Sequence, residues 1–161
     1  MYESLTAEQK LVVDTVMAGL GRFFDGSAAS DTIGSNCLYV DGPGGSGKSY
    51  VYRCLFHLIR AKGFSVLMMA STGAAATLLP TGCTVHHAAM LPVPLRSDSK
   101  ADPRGGKLKR FVGAHVMFID EAPMLLRFAV EAIDERLREL RPQKKHLPFA
   151  GTTMVLGGDF R

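Results

Sequence analysis

At 161 residues, 47% of them hydrophobic and 21% charged, the chain has material for one domain with a proper core and is unlike a disordered polymer. No apolar run approaches the ~18 residues of a membrane span, and Met1 to Glu8 form neither a basic nor an apolar leader, so the protein is expected inside a cell and off the membrane. The net charge of +4 suits a polyanionic partner without demanding one. The cysteines, Cys37, Cys54 and Cys83, are odd in number and widely spaced, which argues against a disulfide framework and for a reducing compartment. Cys83, His86 and His87 lack the second close pair of ligands that a structural zinc site requires.

In chain order, Thr6 and Gln9 have the spacing of a capping box, and Val12, Val13, Val16, Met17 and Leu20 then mark one helical face. Gly19 and Gly21 are expected to close that helix, and the Gly-, Ser-, Ala- and Asp-rich residues up to Asn36 read as a flexible loop. A short buried strand, Cys37 to Val40, runs into a glycine-rich loop. The next helix is expected from Lys48 to Gly63, a residue suited to the left-handed position after a helix end. The apolar stretch Phe64 to Ala70 predicts a strand covered on both faces.

A short helix from Gly73 to Leu79 should end at the Pro80-Thr81-Gly82 turn. Residues 92–106, with Pro92, Pro94, Pro103 and Gly105-Gly106, read as an irregular surface excursion. Lys100, Arg104, Lys107, Lys109 and Arg110 concentrate positive charge in and just after it. His115 to Ile119 predicts a third strand, Leu126, Val130, Ile133, Leu137 and Leu140 an amphipathic helix, and Thr152 to Leu156 a fourth strand. Alternating strands and helices imply an α/β fold, a parallel sheet with helices on both faces in three layers.

The strongest chemical signal is the run Gly42-Pro43-Gly44-Gly45-Ser46-Gly47-Lys48-Ser49, which fits a phosphate-binding loop in full. Glycines let successive backbone N–H groups converge on phosphate oxygens, and the helix starting at Lys48 adds its positive end. Lys48 is expected on the β- and γ-phosphates of ATP and the Ser49 hydroxyl on Mg2+. Val116 to Ile119 is an apolar strand ending in Asp120 and Glu121. Asp120 is placed to hold Mg2+ and Glu121 to orient and deprotonate the attacking water. Gly157-Gly158-Asp159 ends the fourth strand; Asp159 is a candidate phosphate sensor, and a plain Gly-Gly turn carrying a surface aspartate is the alternative.

Together these elements resemble the Pif-type DNA helicases, relatives of RecD in superfamily 1 that include the helicase part of Helitron transposons. The resemblance runs from Leu5 to Arg161: Leu5–Gln9, the phosphate loop, Ala70–Ala76, Thr84–His87, Ile119–Pro123 and Gly157–Arg161 stand in family order. It implies a RecA-like first motor domain, residues 1–161, with a second RecA-like domain expected in cis to supply arginine fingers. By the same resemblance Gln9 reads the adenine edge, Thr72 and Gly73 grip a single-strand backbone, and His86 meets DNA. The second contact is unsettled, because His87 stands where the family often has serine. The implied partner is single-stranded or forked DNA; a monomer is expected, and in a eukaryote the expected compartment is the nucleus or mitochondrion. The chain by itself is then expected to bind ATP but hydrolyse it poorly. The competing readings are another phosphate-loop enzyme, AAA-type or kinase-like, and a non-catalytic nucleotide- or DNA-binding module.

Overall fold

The structure, a computed structural model, describes residues 1–24 and 36–160, and only the backbone of residues 21–24. Five parallel strands form the sheet: β1 (Cys37–Asp41), β2 (Val66–Ala70), β3 (Cys83–Thr84), β4 (Val116–Asp120) and β5 (Thr153–Gly158), in the spatial order β1-β5-β4-β2-β3. The helices are α1 (Ala7–Phe24), α2 (Lys48–Ala61), α3 (Gly73–Leu78), α4 (Val85–Ala89), α5 (Gly105–Gly113) and α6 (Arg127–Leu140). Among the described residues no helix is long and apolar enough to cross a membrane.

Strand alternation divides the core in two. Met68, Ala70, Val116 and Phe118 face one side, where they pack with Val13, Val16 and Leu20 of α1 and Val51, Tyr52, Leu55 and Ile59 of α2. Leu67, Met69, Met117 and Ile119 face the other, against Val85 and Ala89 of α4, Phe111 of α5 and Ile133 and Leu137 of α6. Both faces are therefore covered, which is why the strands read as continuous apolar runs.

Several expectations need correction. Helix α1 does not close at Gly19 or Gly21 but continues to Phe24. A glycine inside a helix costs only about 1 kcal/mol, and Leu20, 1% exposed, anchors this turn in the core. Most of the predicted loop before Asn36 lies outside the described residues. Helix α2 ends at Ala61, with Gly63 at φ +86° closing it as expected. The fifth strand, β3, is two residues long and too short to show periodicity in the sequence.

Residues 92–106 are not purely a surface excursion. Ala101 is buried against the second core, and Asp102 N donates to Ala89 O at 3.0 Å. The last two of those residues open α5, whose Gly-Gly start conceals a helix that Phe111 docks. In α6 the buried positions are Ala129, Ala132, Ile133 and Leu137, while Leu126 caps the helix and is 58% exposed. Alanines allow the close approach to the sheet, so the buried stripe is displaced from the large side chains that suggested it. Gly157 and Gly158 belong to β5 and form no turn.

Candidate nucleotide site

Because the strands are parallel, everything that follows a strand lies on one edge of the sheet. β1 leads into the phosphate loop, β2 into Ser71 and Thr72, β3 into Val85 and His86, β4 into Glu121, and β5 into Asp159. Strand β5 sits between the strands carrying the loop and the acidic pair. Gly42 N donates to Gly158 O at 3.1 Å, so the start of the loop is fastened to the end of β5.

Within the loop, Gly45 (φ +79°) and Gly47 (φ +86°) occupy left-handed backbone that side chains disfavour. Gly47 is constrained a second time, since a Cβ there would lie 2.6 Å from Gln9 Nε2. Ser46 N donates to Pro43 O at 3.2 Å, whereas among the described residues the N–H groups of Gly44, Gly45, Gly47, Lys48 and Ser49 find no acceptor within the protein. These donors, at the start of an 14-residue helix, make an anion cradle. Lys48 Nζ folds over the loop, donating to Gly42 O and, at 3.2 Å, to Pro43 O.

Gln9 completes the wall next to the loop. The capping box is formed as expected, with Thr6 N donating to its Oε1 at 3.1 Å, and its Nε2 also donates to Ser46 O at 3.2 Å. Its backbone N donates to Thr6 Oγ1 at 3.3 Å, closing the box. Helix α1 is thereby locked to the phosphate loop at its first turn.

Asp120 is 4% exposed at the carboxyl end of β4, and Glu121 N donates to its Oδ1 at 3.0 Å. Burial raises its pKa; the Glu121 N–H bond opposes that rise, the Glu121 charge adds to it, and Lys48 opposes it. Glu121 itself is half-buried with φ +52°, left-handed for a side chain. Asp120 and the half-buried Ser49 each offer a hard oxygen donor of the kind that suits Mg2+.

The sheet also holds a feature that motif reading missed. Tyr52 of α2 is 1% exposed, its ring meets Phe118 edge-on at 5.5 Å, and its hydroxyl has no hydrogen-bond partner. Burial, followed by the charge of Asp120, pushes that hydroxyl's pKa far up. A Cβ on Gly157 would lie 1.6 Å from the Tyr52 oxygen, and one on Gly158 would lie 2.3 Å from Pro123 Cδ. The glycine pair therefore allows Tyr52 and Pro123 to close over β5. A glycine inside a strand, the usual mark of such close approach, was the available signal.

Thr72 caps α3 by accepting from Ala75 N at 3.2 Å, and exposed Gly73 follows it. Ser71 N donates to Asp120 O at 3.1 Å, tying this segment to the acidic strand. His86 is half-buried in α4, at the same edge but beyond β2, four strand spacings from β1 and so roughly 20 Å from the loop. Arg161 lies outside the described residues.

A five-stranded parallel sheet with this loop, this acidic strand end and a glutamine bonded to the loop defines a RecA-like phosphate-loop nucleotide-binding domain. The model of the PIF1-like helicase family matches residues 4–161, and the chain belongs to that family. It is 32% identical over 123 residues to an ATP-dependent DNA helicase PIF1 of Trypanosoma brucei brucei, covering 76% of this chain and 12% of that protein. The crystal structure of Pif1 helicase from Candida albicans superposes with a TM-score of 0.70 at 26% identity, over 97% of this chain and 32% of the other. Pif1 helicase from Bacteroides in complex with ADP-AlF3 and single-stranded DNA shares the fold at a TM-score of 0.69 and 24% identity, over 96% of this chain and 32% of that one. The chain spans between 12% and 22% of the length of the curated relatives it matches.

Proposed function

We propose that this chain is the ATP-binding first motor domain of an ATP-dependent DNA helicase that translocates on single-stranded DNA and opens forks. The observation that carries this reading is the hydrogen bond from Ser71 N to Asp120 O. It joins the segment assigned to DNA, Thr72 and Gly73, directly to the strand end assigned to metal and water. The segment that would grip the strand therefore lies one hydrogen bond from the acidic end of β4. The relatives' names as DNA helicases, and the Bacteroides complex with ADP-AlF3 and single-stranded DNA, agree with this pairing of ligands.

In this reading Gln9 recognises the adenine edge, and the N–H groups of residues 44–49 receive the phosphates. Lys48 exchanges its two carbonyl acceptors for the β- and γ-phosphate oxygens. Asp120 and Ser49 would hold Mg2+, which supplies neutralisation of phosphate charge when bound. Glu121 accepts the proton of the attacking water, and Asp159, at the end of β5, senses the phosphate. His86 and the free N–H groups at the start of α3 contact the DNA backbone. A second RecA-like domain in cis would supply the arginine fingers, whose contribution in related enzymes is on the order of 10³–10⁵ in rate.

The test is titration of a fluorescent ATP analogue with Mg2+ into the wild-type chain and Lys48→Ala. Wild type should bind and the variant should lose affinity by roughly 100-fold or more; equal binding by both would remove the basis of the proposal. In parallel, Thr72→Ala with His86→Ala should weaken binding of a single-stranded oligonucleotide and spare the nucleotide.

A further inference from the structure

Away from the nucleotide edge, the outer side of the sheet beyond β2 is lined with positive charge that the motor reading does not use. Strand β3 pairs only with Met69 and Ala70, so the first half of β2 is an open edge. A groove of about 540 Å³ lies along it. Arg60 of α2 stands on one wall, and Lys109 and Arg110 of α5 stand on the other. Arg110 also lines the adjoining recess with Lys107, Cys83 and His87. The charge therefore continues from the groove to the residue after His86.

These cations are not spent within the fold. The ion pairs among the described residues use Lys10, Arg104, Arg127, Arg136 and Arg138, and none uses Arg60, Lys107, Lys109 or Arg110. No carboxylate lines either the groove or the recess. Arg60, Lys109 and Arg110 are exposed and Lys107 half-buried. The sequence places Arg104 in the same basic stretch, but the structure removes it from the set, because Asp102 engages it through Nε at 2.8 Å.

We infer that this groove is a second DNA-binding surface, which holds the phosphate backbone of the duplex arm adjoining the single strand. The inference rests on the DNA-motor reading above. Cations on two opposed walls match a strand of phosphates, a contact that is independent of sequence and dominated by counterion release. The ring that lines the groove, Phe56, is half-buried and packed into the first core. The groove thus offers no stacking platform of the kind that splayed single strands use. Its continuity with His87 sets the duplex beside the single-strand contact at the carboxyl edge.

The test measures binding of a labelled fork, one duplex arm bearing a single-stranded tail, and of the tail alone, by fluorescence anisotropy over a range of salt. Wild type is compared with Arg60→Gln/Lys109→Gln/Arg110→Gln and with Lys10→Gln/Arg127→Gln/Lys145→Gln, which removes equal charge elsewhere. The groove variant should lose roughly tenfold or more in fork affinity and about 2–3 from the salt slope. It should bind the tail alone within about twofold of wild type, and its thermal unfolding and ATP-analogue binding should be unchanged. An unchanged fork affinity and slope overturns the inference, as does an equal loss in the control variant or on the tail alone. Competition by polyglutamate as strong as by duplex DNA also overturns it, in favour of an acidic protein partner. If wild type binds neither fork nor tail, the DNA-motor reading falls too; if it binds both and the groove variant matches it, only the inference falls.

Discussion

The two edges of the sheet are built on opposite terms. At the amino-terminal edge, side chains are used up in fastening backbone. Asn36 Nδ2 donates to Pro148 O at 2.9 Å and Thr152 O at 2.8 Å, and Arg141 donates to Thr152 Oγ1, Val112 O and Ala114 O. Asp134 accepts from both Arg138 and Phe149 N, and Ser65 N donates to His115 Nδ1 at 3.0 Å. At the carboxyl-terminal edge, by contrast, the N–H groups of Gly44, Gly45, Gly47, Lys48 and Ser49 have no protein acceptor among the described residues, Asp120 is buried with a raised pKa, and Glu121 holds a left-handed backbone. One edge spends its polar groups within the protein, and the other leaves several of its backbone donors without protein partners. Substitutions should therefore separate stability from binding according to the edge they touch.

The largest effect is expected at the carboxyl edge. Asp120→Asn should reduce Mg2+-dependent nucleotide affinity by roughly 100-fold, while thermal stability stays the same or rises, because a buried, unpaired charge is removed. A large fall in Tm would show that Asp120 supports the fold and would blur the contrast.

Between the edges, Gly157→Ala should destabilise by on the order of 3 kcal/mol, since its Cβ would overlap the Tyr52 hydroxyl. Tyr52→Phe alone removes a buried hydroxyl with no partner and should be neutral or mildly stabilising. Combined, the two substitutions should be less harmful than their sum. Additive denaturation midpoints would deny the contact.

At the amino edge, Arg141→Ala should cost about 2 kcal/mol by orphaning carbonyl groups, with ATP-analogue affinity unchanged. A loss of affinity in a correctly folded variant would show that the edges are coupled.

The smallest effect concerns pH. Burial, then the charges of Arg141 and Lys144, lowers the His115 pKa below its ordinary value of 6.5. The unfolded chain therefore takes up this proton more readily than the native state. Stability is full above 6.5 and falls as pH drops through that value towards the lower native pKa. His115→Asn retains an acceptor for Ser65 N and should flatten the slope of unfolding free energy between neutral and mildly acidic pH. A slope identical to wild type would assign the acid sensitivity elsewhere.

The site was legible to the extent that its chemistry is local. The phosphate loop, the Thr6–Gln9 box and the Asp120-Glu121 strand end are each written in contiguous or near-contiguous residues, and backbone geometry follows from them directly. The fold was legible where apolar runs were long, as in β2 and β4. It was hidden where an element was too short for a period, as in β3, or opened on glycines, as in α5.

By itself, then, the sequence determined the parallel α/β class, the phosphate loop and the acidic end of β4, because spacing along a strand or helix dictates which side chains share a turn. Only the tertiary structure decided what non-neighbours do to one another. Gln9 reaches Ser46 O, Gly157 and Gly158 leave room for Tyr52 and Pro123, and Ser71 is bonded to the strand of Asp120. It also separated paired Arg104 from the unpaired Lys107, Lys109 and Arg110 and gave them Arg60 as a counterpart across an open strand edge. Pairing, burial and apposition are properties of distance in space, and a linear order of residues does not contain them until the chain has packed.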